Sequence, residues 1–145
     1  MPEILLLNGP NMGILGRRQV HIYGTDTLAD IERAVASEIA PQYQLASVQR
    51  DCEGALIGAV QDHYHAAGAI VNPGALMIAG WAFRDALENF PAPWVEVHLS
   101  NVWAREQFRH ESITAALAAG VIAGFGTNGY RLAARALLHL LKPGL

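Results

Sequence analysis

The sequence predicts an α/β fold around a five-stranded parallel sheet, and three observations support this. Short apolar runs of strand length recur at residues 4–7, 45–48, 68–72, 94–101 and 120–124. Helix-length segments with start or stop signals lie between most of them. Strands alternating with helices imply a parallel sheet covered on both faces.

Ile4, Leu5, Leu6 and Leu7 follow Pro2 as a continuous apolar run, the pattern of a strand buried on both faces. Thr27-Leu28-Ala29-Asp30 resembles a capping box with Asp in place of Glu, and opens a helix that Pro41 stops after about Ala40. Residues 45–48 read as the second strand. A helix from Glu53 to about Ala66 places Leu56, Val60 and Tyr64 on one face. The third strand, 68–72, ends at Pro73-Gly74, and a helix spans about 80–89. In residues 94–101, Val95, Val97 and Leu99 alternate with Glu96, His98 and Ser100, the period-two signature of a strand with unlike faces. A fifth strand at 120–124 precedes a helix from about Asn128 to Leu141, ended by Pro143-Gly144. Five such units in 145 residues fit one domain, residues 1–145, with a flavodoxin-like three-layer sandwich.

Residues 9–26 are too long for an ordinary strand-to-helix connection. They carry Gly9, Gly13, Gly16 and Gly24 with Arg17, Arg18 and Tyr23, and read as a candidate lid over the C-terminal edge of the sheet. The alternative is a flexible surface loop. The glycines lack the spacing of a dinucleotide fingerprint, and no phosphate-loop motif is present.

Composition narrows the function classes. Net charge is −3 without a basic stripe, which argues against a nucleic-acid partner. Charged residues make up 16% and hydrophobic residues 52%, so burial between subunits of a homo-oligomer is expected. No apolar stretch is long enough to span a membrane, and Met1-Pro2-Glu3 does not open a signal peptide. Cys52 is the single cysteine, which excludes an internal disulfide and fits a cytoplasmic protein. Lys142 is the single lysine and lies near the C-terminus, so imine chemistry is not expected.

A carboxylate beside an imidazole fixes the tautomer of the ring and suits it to act as an acid, so Glu96 and His98 are the first candidate pair. The alternative is an edge strand with an ordinary solvent face. The strand ends of a parallel sheet would gather Asn8, Asn11, Asn72, Glu96, His98 and Ser100, with Arg18 and Tyr23 from the lid and Arg105 and Arg109 from the next loop. The six histidines are scattered, and His63 and His65 would lie on different helix faces, so no metal site is expected. No nucleophile with a companion base is evident. What remains is an acid–base site rimmed by arginine, suited to a small anionic substrate. Tyr23 is the candidate base. Phenols ionise near pH ~10, so a tyrosine base at neutrality needs about 4 kcal/mol of extra stabilisation as phenolate. Arg18, and Arg105 from across the site, could provide it. The alternative for Tyr23 is a packing residue at the lid hinge.

Asn8-Gly9-Pro10-Asn11-Met12-Gly13-Ile14-Leu15-Gly16-Arg17-Arg18 with Tyr23-Gly24 closely resembles the opening motif of type II 3-dehydroquinate dehydratases. Asn72-Pro73-Gly74-Ala75, Arg84-Asp85-Ala86-Leu87 and Glu96-Val97-His98-Leu99-Ser100-Asn101-Val102 resemble later motifs of that family, in order. So do Arg105-Glu106, Phe108-Arg109, Gly124-Phe125-Gly126 and Gly129-Tyr130. The resemblance implies cofactor-free dehydration of 3-dehydroquinate to 3-dehydroshikimate through an enolate, on a flavodoxin-like subunit assembled as trimers and then a homododecamer. It implies that Tyr23 removes the proton from carbon 2, Arg18 activates Tyr23, and Asn11 holds a water at the enolate oxygen. His98, oriented by Glu96, would protonate the departing hydroxyl. Leu99 and Ser100 would bind the substrate carboxylate, Asn72 and Arg109 the ring hydroxyls, and Asp85 would come from a neighbouring subunit.

The chain departs from that pattern after Ala75. Leu76-Met77-Ile78-Ala79-Gly80 replaces a run in which the family carries a histidine, and Ile78 stands in its place. A ring hydroxyl facing Ile78 would lose a hydrogen bond at a cost of about 1–3 kcal/mol. Gln19-Val20, the residues 49–54 and Trp103 also differ from the usual family residues. Two further expectations follow: a dehydratase for a related cyclic hydroxy-ketone acid, and a non-catalytic paralog that keeps the oligomeric scaffold.

Overall fold

The computed structural model describes residues 1–143; Gly144 of the expected helix stop lies outside the described residues. Five parallel strands, β1 (Glu3–Asn8), β2 (Gln44–Gln49), β3 (Gly68–Asn72), β4 (Trp94–His98) and β5 (Gly120–Ala123), lie in the order β2-β1-β3-β4-β5. The sequence-derived sheet is therefore the observed one.

Alternation along β1 decides which residues meet which layer. Ile4 and Leu6 pack with Ile31, Val35, Ile39, Tyr130, Ala133 and Leu137. These come from α2 (Leu28–Ile39) and α6 (Asn128–Leu140). Leu5 and Leu7 point the other way and pack with Leu56, Val60, Phe83 and Leu87, from α3 (Glu53–Asp62) and α5 (Trp81–Glu88), with the one-turn helix α4 (Leu76–Ala79) before α5. Two helical layers thus enclose the sheet. α2 begins at the expected capping box: the Thr27 hydroxyl accepts from the Asp30 amide, and the Asp30 carboxylate accepts from the Thr27 amide.

The alternative of an edge strand at residues 94–98 fails, because β4 runs between β3 and β5 and all five residues are buried. The candidate lid, residues 9–26, contains a 3-10 turn at Met12–Ile14 and the short helix α1 (Val20–Tyr23). The helix from Glu53 stops at Asp62 rather than near Ala66. His63 and His65 leave it in a turn with their rings stacked 5.9 Å apart, both directed at Glu3. They do not lie on different helix faces. Among the described residues, no three His, Cys, Asp or Glu side chains are grouped as a metal site.

The first crossover goes from β1 to β2 on one side, and the chain then returns to place β3 on the other. Such a switch point opens a crevice beyond the strand ends. Here the chain leaving β1 crosses tightly over the chain leaving β3: the Gly9 amide donates to the Asn72 carbonyl at 2.8 Å. A Cβ on Gly9 would stand 2.7 Å from the Pro73 carbonyl oxygen. Gly9→Ala should therefore force the two segments apart and cost about 1–3 kcal/mol. Chemical denaturation checks this; parental stability would contradict the close approach.

Candidate active site

The C-terminal ends of β1, β3 and β4 deliver Asn8, Asn72 and His98 to one edge of the sheet. α1 delivers Tyr23, and the segment after β4 delivers Arg105 and Arg109. The ring of Tyr23 is buried, 7% exposed, and packed into the core shared with Met12, Leu15 and Leu99. Its oxygen accepts hydrogen bonds from Arg105 Nη1 at 2.7 Å and Arg18 Nη2 at 3.1 Å. The Arg18 guanidinium carbon also stands 3.9 Å from the ring centre. Packing and chemistry are thus not alternatives for Tyr23, since the ring fills the core while the oxygen faces two cations. Burial pulls the Arg18 guanidinium below its usual value, Tyr23 opposes this, and the like charges of Arg105 and Arg109 add to the lowering. Such a cluster of positive charge is suited to an anionic ligand.

His98 and Glu96 are 6% and 0% exposed, and His98 Nε2 lies 2.8 Å from Glu96 Oε2. The period-two reading therefore put both groups on the right face. That face is buried rather than solvated. With Nε2 turned to the carboxylate, Nδ1 is the ring nitrogen left for the cavity that His98 lines.

Asn72 is held by its neighbours. Its Nδ2 donates to the Tyr130 oxygen at 2.9 Å, and its Oδ1 accepts from the Gly74 amide at 3.0 Å. The Tyr130 hydroxyl in turn donates to Asn8 Oδ1 at 2.6 Å. Burial pushes the Tyr130 phenol well above its ordinary value, so it stays a neutral donor.

Tyr23, Arg18, His98, Asn72, Leu99, Ser100, Arg105 and Arg109 line one cavity of about 30 Å³. Ordinary small-molecule pockets hold roughly 300–1,000 Å³, so a ring can enter only if lid or arginine side chains move. A larger cleft of about 830 Å³ adjoins it, lined by the lid, Ser100, Asn101 and the segment after β5. The two share Tyr23, Leu99, Ser100 and Arg105. Tyr23 and His98 both line the smaller one, and the larger opens beside it.

Three expected site residues are not on that wall. Glu96 stands behind it, against His98. Asn11 is exposed in a left-handed conformation (φ 70°), and its amide donates to Asp51 Oδ1 at 2.9 Å. That donor, followed by the Gln49 side chain, holds the Asp51 carboxyl below the usual range. Asp85 projects from α5 with its side chain 74% exposed, 3.6 Å from Arg84. Ile78 is half-buried, and the cavity is lined there by Ala75 and Met77 instead. Arg105, expected with Arg18 as a cation for Tyr23, reaches its oxygen from across the site and is the nearer of the two. Asn8, expected among the strand-end residues, supports the site through Tyr130 rather than lining it. Tyr130 and Asp51 were missed as site supports.

A model of the family described as dehydroquinase class II matches residues 2–138 of this sequence. The chain belongs to that family. This class II dehydroquinase is 47% identical to the 3-dehydroquinate dehydratase of Gloeobacter violaceus, across 97% of this chain and 89% of the relative. It is also 47% identical to that of Anoxybacillus flavithermus, across 98% and 97%. Among solved structures it resembles type II dehydroquinase from Propionibacterium acnes (TM-score 0.86, 39% identity, 97% of each chain). It also resembles that from Butyrivibrio crossotus (TM-score 0.90, 35% identity, 94% of this chain and 97% of the other).

Removing the nearer cation should weaken the hold of the site on an anion. In Arg105→Met, the dissociation constant of a small cyclic carboxylate should rise by about tenfold or more, since a hydrogen bond to a charged group contributes about 1.5–3 kcal/mol. Unchanged affinity by calorimetry would mean that Arg105 takes no part in anion binding.

Proposed function

We propose that this class II dehydroquinase eliminates water from 3-dehydroquinate to give 3-dehydroshikimate through an enolate, with neither imine nor metal. The observation that carries the reading is the Tyr23 oxygen between two guanidinium groups, in a cavity that His98 also lines. Tyr23 as phenolate takes the carbon-2 proton beside the ketone, and the ketone becomes an enolate. Arg18 and Arg105 stabilise the phenolate, and Asn11 supports a water at the enolate oxygen once the lid, residues 9–26, closes. The enolate collapses to the enone as the carbon-1 hydroxyl leaves, taking the His98 proton and departing as water. Glu96 orients the imidazole and balances its charge. Leu99 and Ser100 receive the carboxylate, with Asn72 and Arg109 at the ring hydroxyls. Lys142, exposed beyond α6, is remote in character from a buried imine-forming lysine, which supports the enolate route.

The exposed Asp85 on α5, beside the exposed Trp81, supports an assembly in which this face meets a neighbour and Asp85 completes its site. The proposed assembly is the homododecamer of trimers. A cytoplasmic location is proposed with it, and no helix among the described residues is long and apolar enough to cross a membrane. Met77 on the cavity wall and Ile78 beside it favour a second reading, a related cyclic hydroxy-ketone acid with an altered ring hydroxyl. A higher kcat/KM for such a ring than for 3-dehydroquinate would select it.

Purified protein given 3-dehydroquinate should produce rising enone absorbance, and no turnover at any enzyme concentration would reject the reading. Tyr23→Phe should lower kcat by at least ~10²-fold while ligand binding persists. Undiminished activity in that variant would discredit the assigned base.

A further inference from the structure

Glu96 lies on β4 with no exposed surface, yet each of its oxygens accepts a hydrogen bond from a segment 16 to 18 residues on. Ser112 Oγ donates to Glu96 Oε2 at 2.9 Å, and Thr114 Oγ1 donates to Glu96 Oε1. Thr114 is itself 0% exposed. A hydroxyl has one proton and two lone pairs. Both lone pairs of Ser112 Oγ are taken, by the Thr114 amide at 3.3 Å and the Ala115 amide at 3.1 Å. Its single proton is therefore directed away from those amides, towards Glu96. The two hydroxyls stand 3.0 Å apart, so with Ser112 saturated as an acceptor, the Thr114 proton also goes to Glu96. The segment is pinned in turn, because the Ile113 amide donates to the Met77 carbonyl at 2.6 Å.

Glu96 thus accepts hydrogen bonds from Ser112 and Thr114, and His98 Nε2 lies 2.8 Å from Oε2. A neutral glutamic acid here could aim its own proton only at His98 Nε2, since both hydroxyls already donate to it. Buried without those hydroxyls, the carboxylate would gain by taking the proton from His98 Nε2, since burial disfavours its charge. His98 would then be a neutral imidazole, a far poorer acid towards a departing hydroxyl.

We infer that Thr114 and Ser112 are positioning residues that hold Glu96 as the carboxylate and thereby keep the transferable proton on His98. The kinetic consequence rests on the dehydratase reading above, whereas the protonation of His98 does not. Thr114→Val keeps the shape and removes the donor; Thr114→Ser keeps the donor and removes a methyl. At pH 7, the His98 Nε2 resonance in 15N NMR should sit at its protonated position in the parent and in Thr114→Ser. In Thr114→Val it should move towards the unprotonated position. With 3-dehydroquinate, kcat should fall by about tenfold or more in the valine variant, within the ~10²–10⁴-fold that a general acid supplies. KM should change little, and serine should preserve kcat. A His98 resonance unmoved by valine, a parental kcat in the valine variant, or a loss caused by serine but not valine would overturn the inference. If the valine variant does not fold, Ser112→Ala removes the other donor and is judged by the same resonance. A parent protein without turnover would instead count against the dehydratase reading, leaving the resonance to decide this one.

Discussion

Two guanidinium groups on one phenol oxygen are the interaction on which the rest of this site depends. Arg18 and Arg105 reach Tyr23 from sequence separations of 5 and 82 residues. Like charges so close repel, and in a partly buried setting that repulsion is only weakly screened. The arrangement is favourable when an anion lies between the cations, either the phenolate itself or a bound carboxylate. The charges that surround the Tyr23 oxygen therefore also suit the site to an anionic ligand.

The sheet makes that meeting possible. In a parallel sheet every strand ends on the same edge, so residues following β1 and β4 share one space. The order β2-β1-β3-β4-β5 opens the crevice between β1 and β3, where Gly9 and Asn72 touch through their backbones. Behind the edge, two buried polar chains fix the working groups. Asn8 and Tyr130 hold Asn72, while Ser112 and Thr114 hold Glu96 and, through it, His98. Each chain exchanges hydration for directed hydrogen bonds, which lowers the mobility of the groups that face the ligand.

Particular residues show what the sequence could and could not reveal. The Ile4 to Leu7 run and the Thr27 capping box are local signals, and both elements form as read. The Glu53 helix was extended too far because Tyr64 continues its apolar spacing, yet the chain turns at His63. Alternation in β4 correctly paired Glu96 with His98, but a two-faced pattern suggested solvent on the polar face. Solvent is absent because Ser112 and Thr114, 16 and 18 residues away, cover the carboxylate. Such long-range satisfaction of a buried charge leaves no periodic trace. Arg105 was visible as a residue but not as the closest cation, since side-chain reach across a fold is not encoded in spacing.

The reacting cavity is nearly closed, and the adjoining cleft is far larger. A ring bound in the smaller space requires the lid or the arginines to move and unite the two. A crystal structure with a cyclic carboxylate that mimics the planar enolate tests this most directly. The account requires the ring between the Tyr23 oxygen and His98 Nδ1, with its carboxylate at Leu99 and Ser100. A ligand seated wholly in the larger cleft, out of reach of His98, would contradict it.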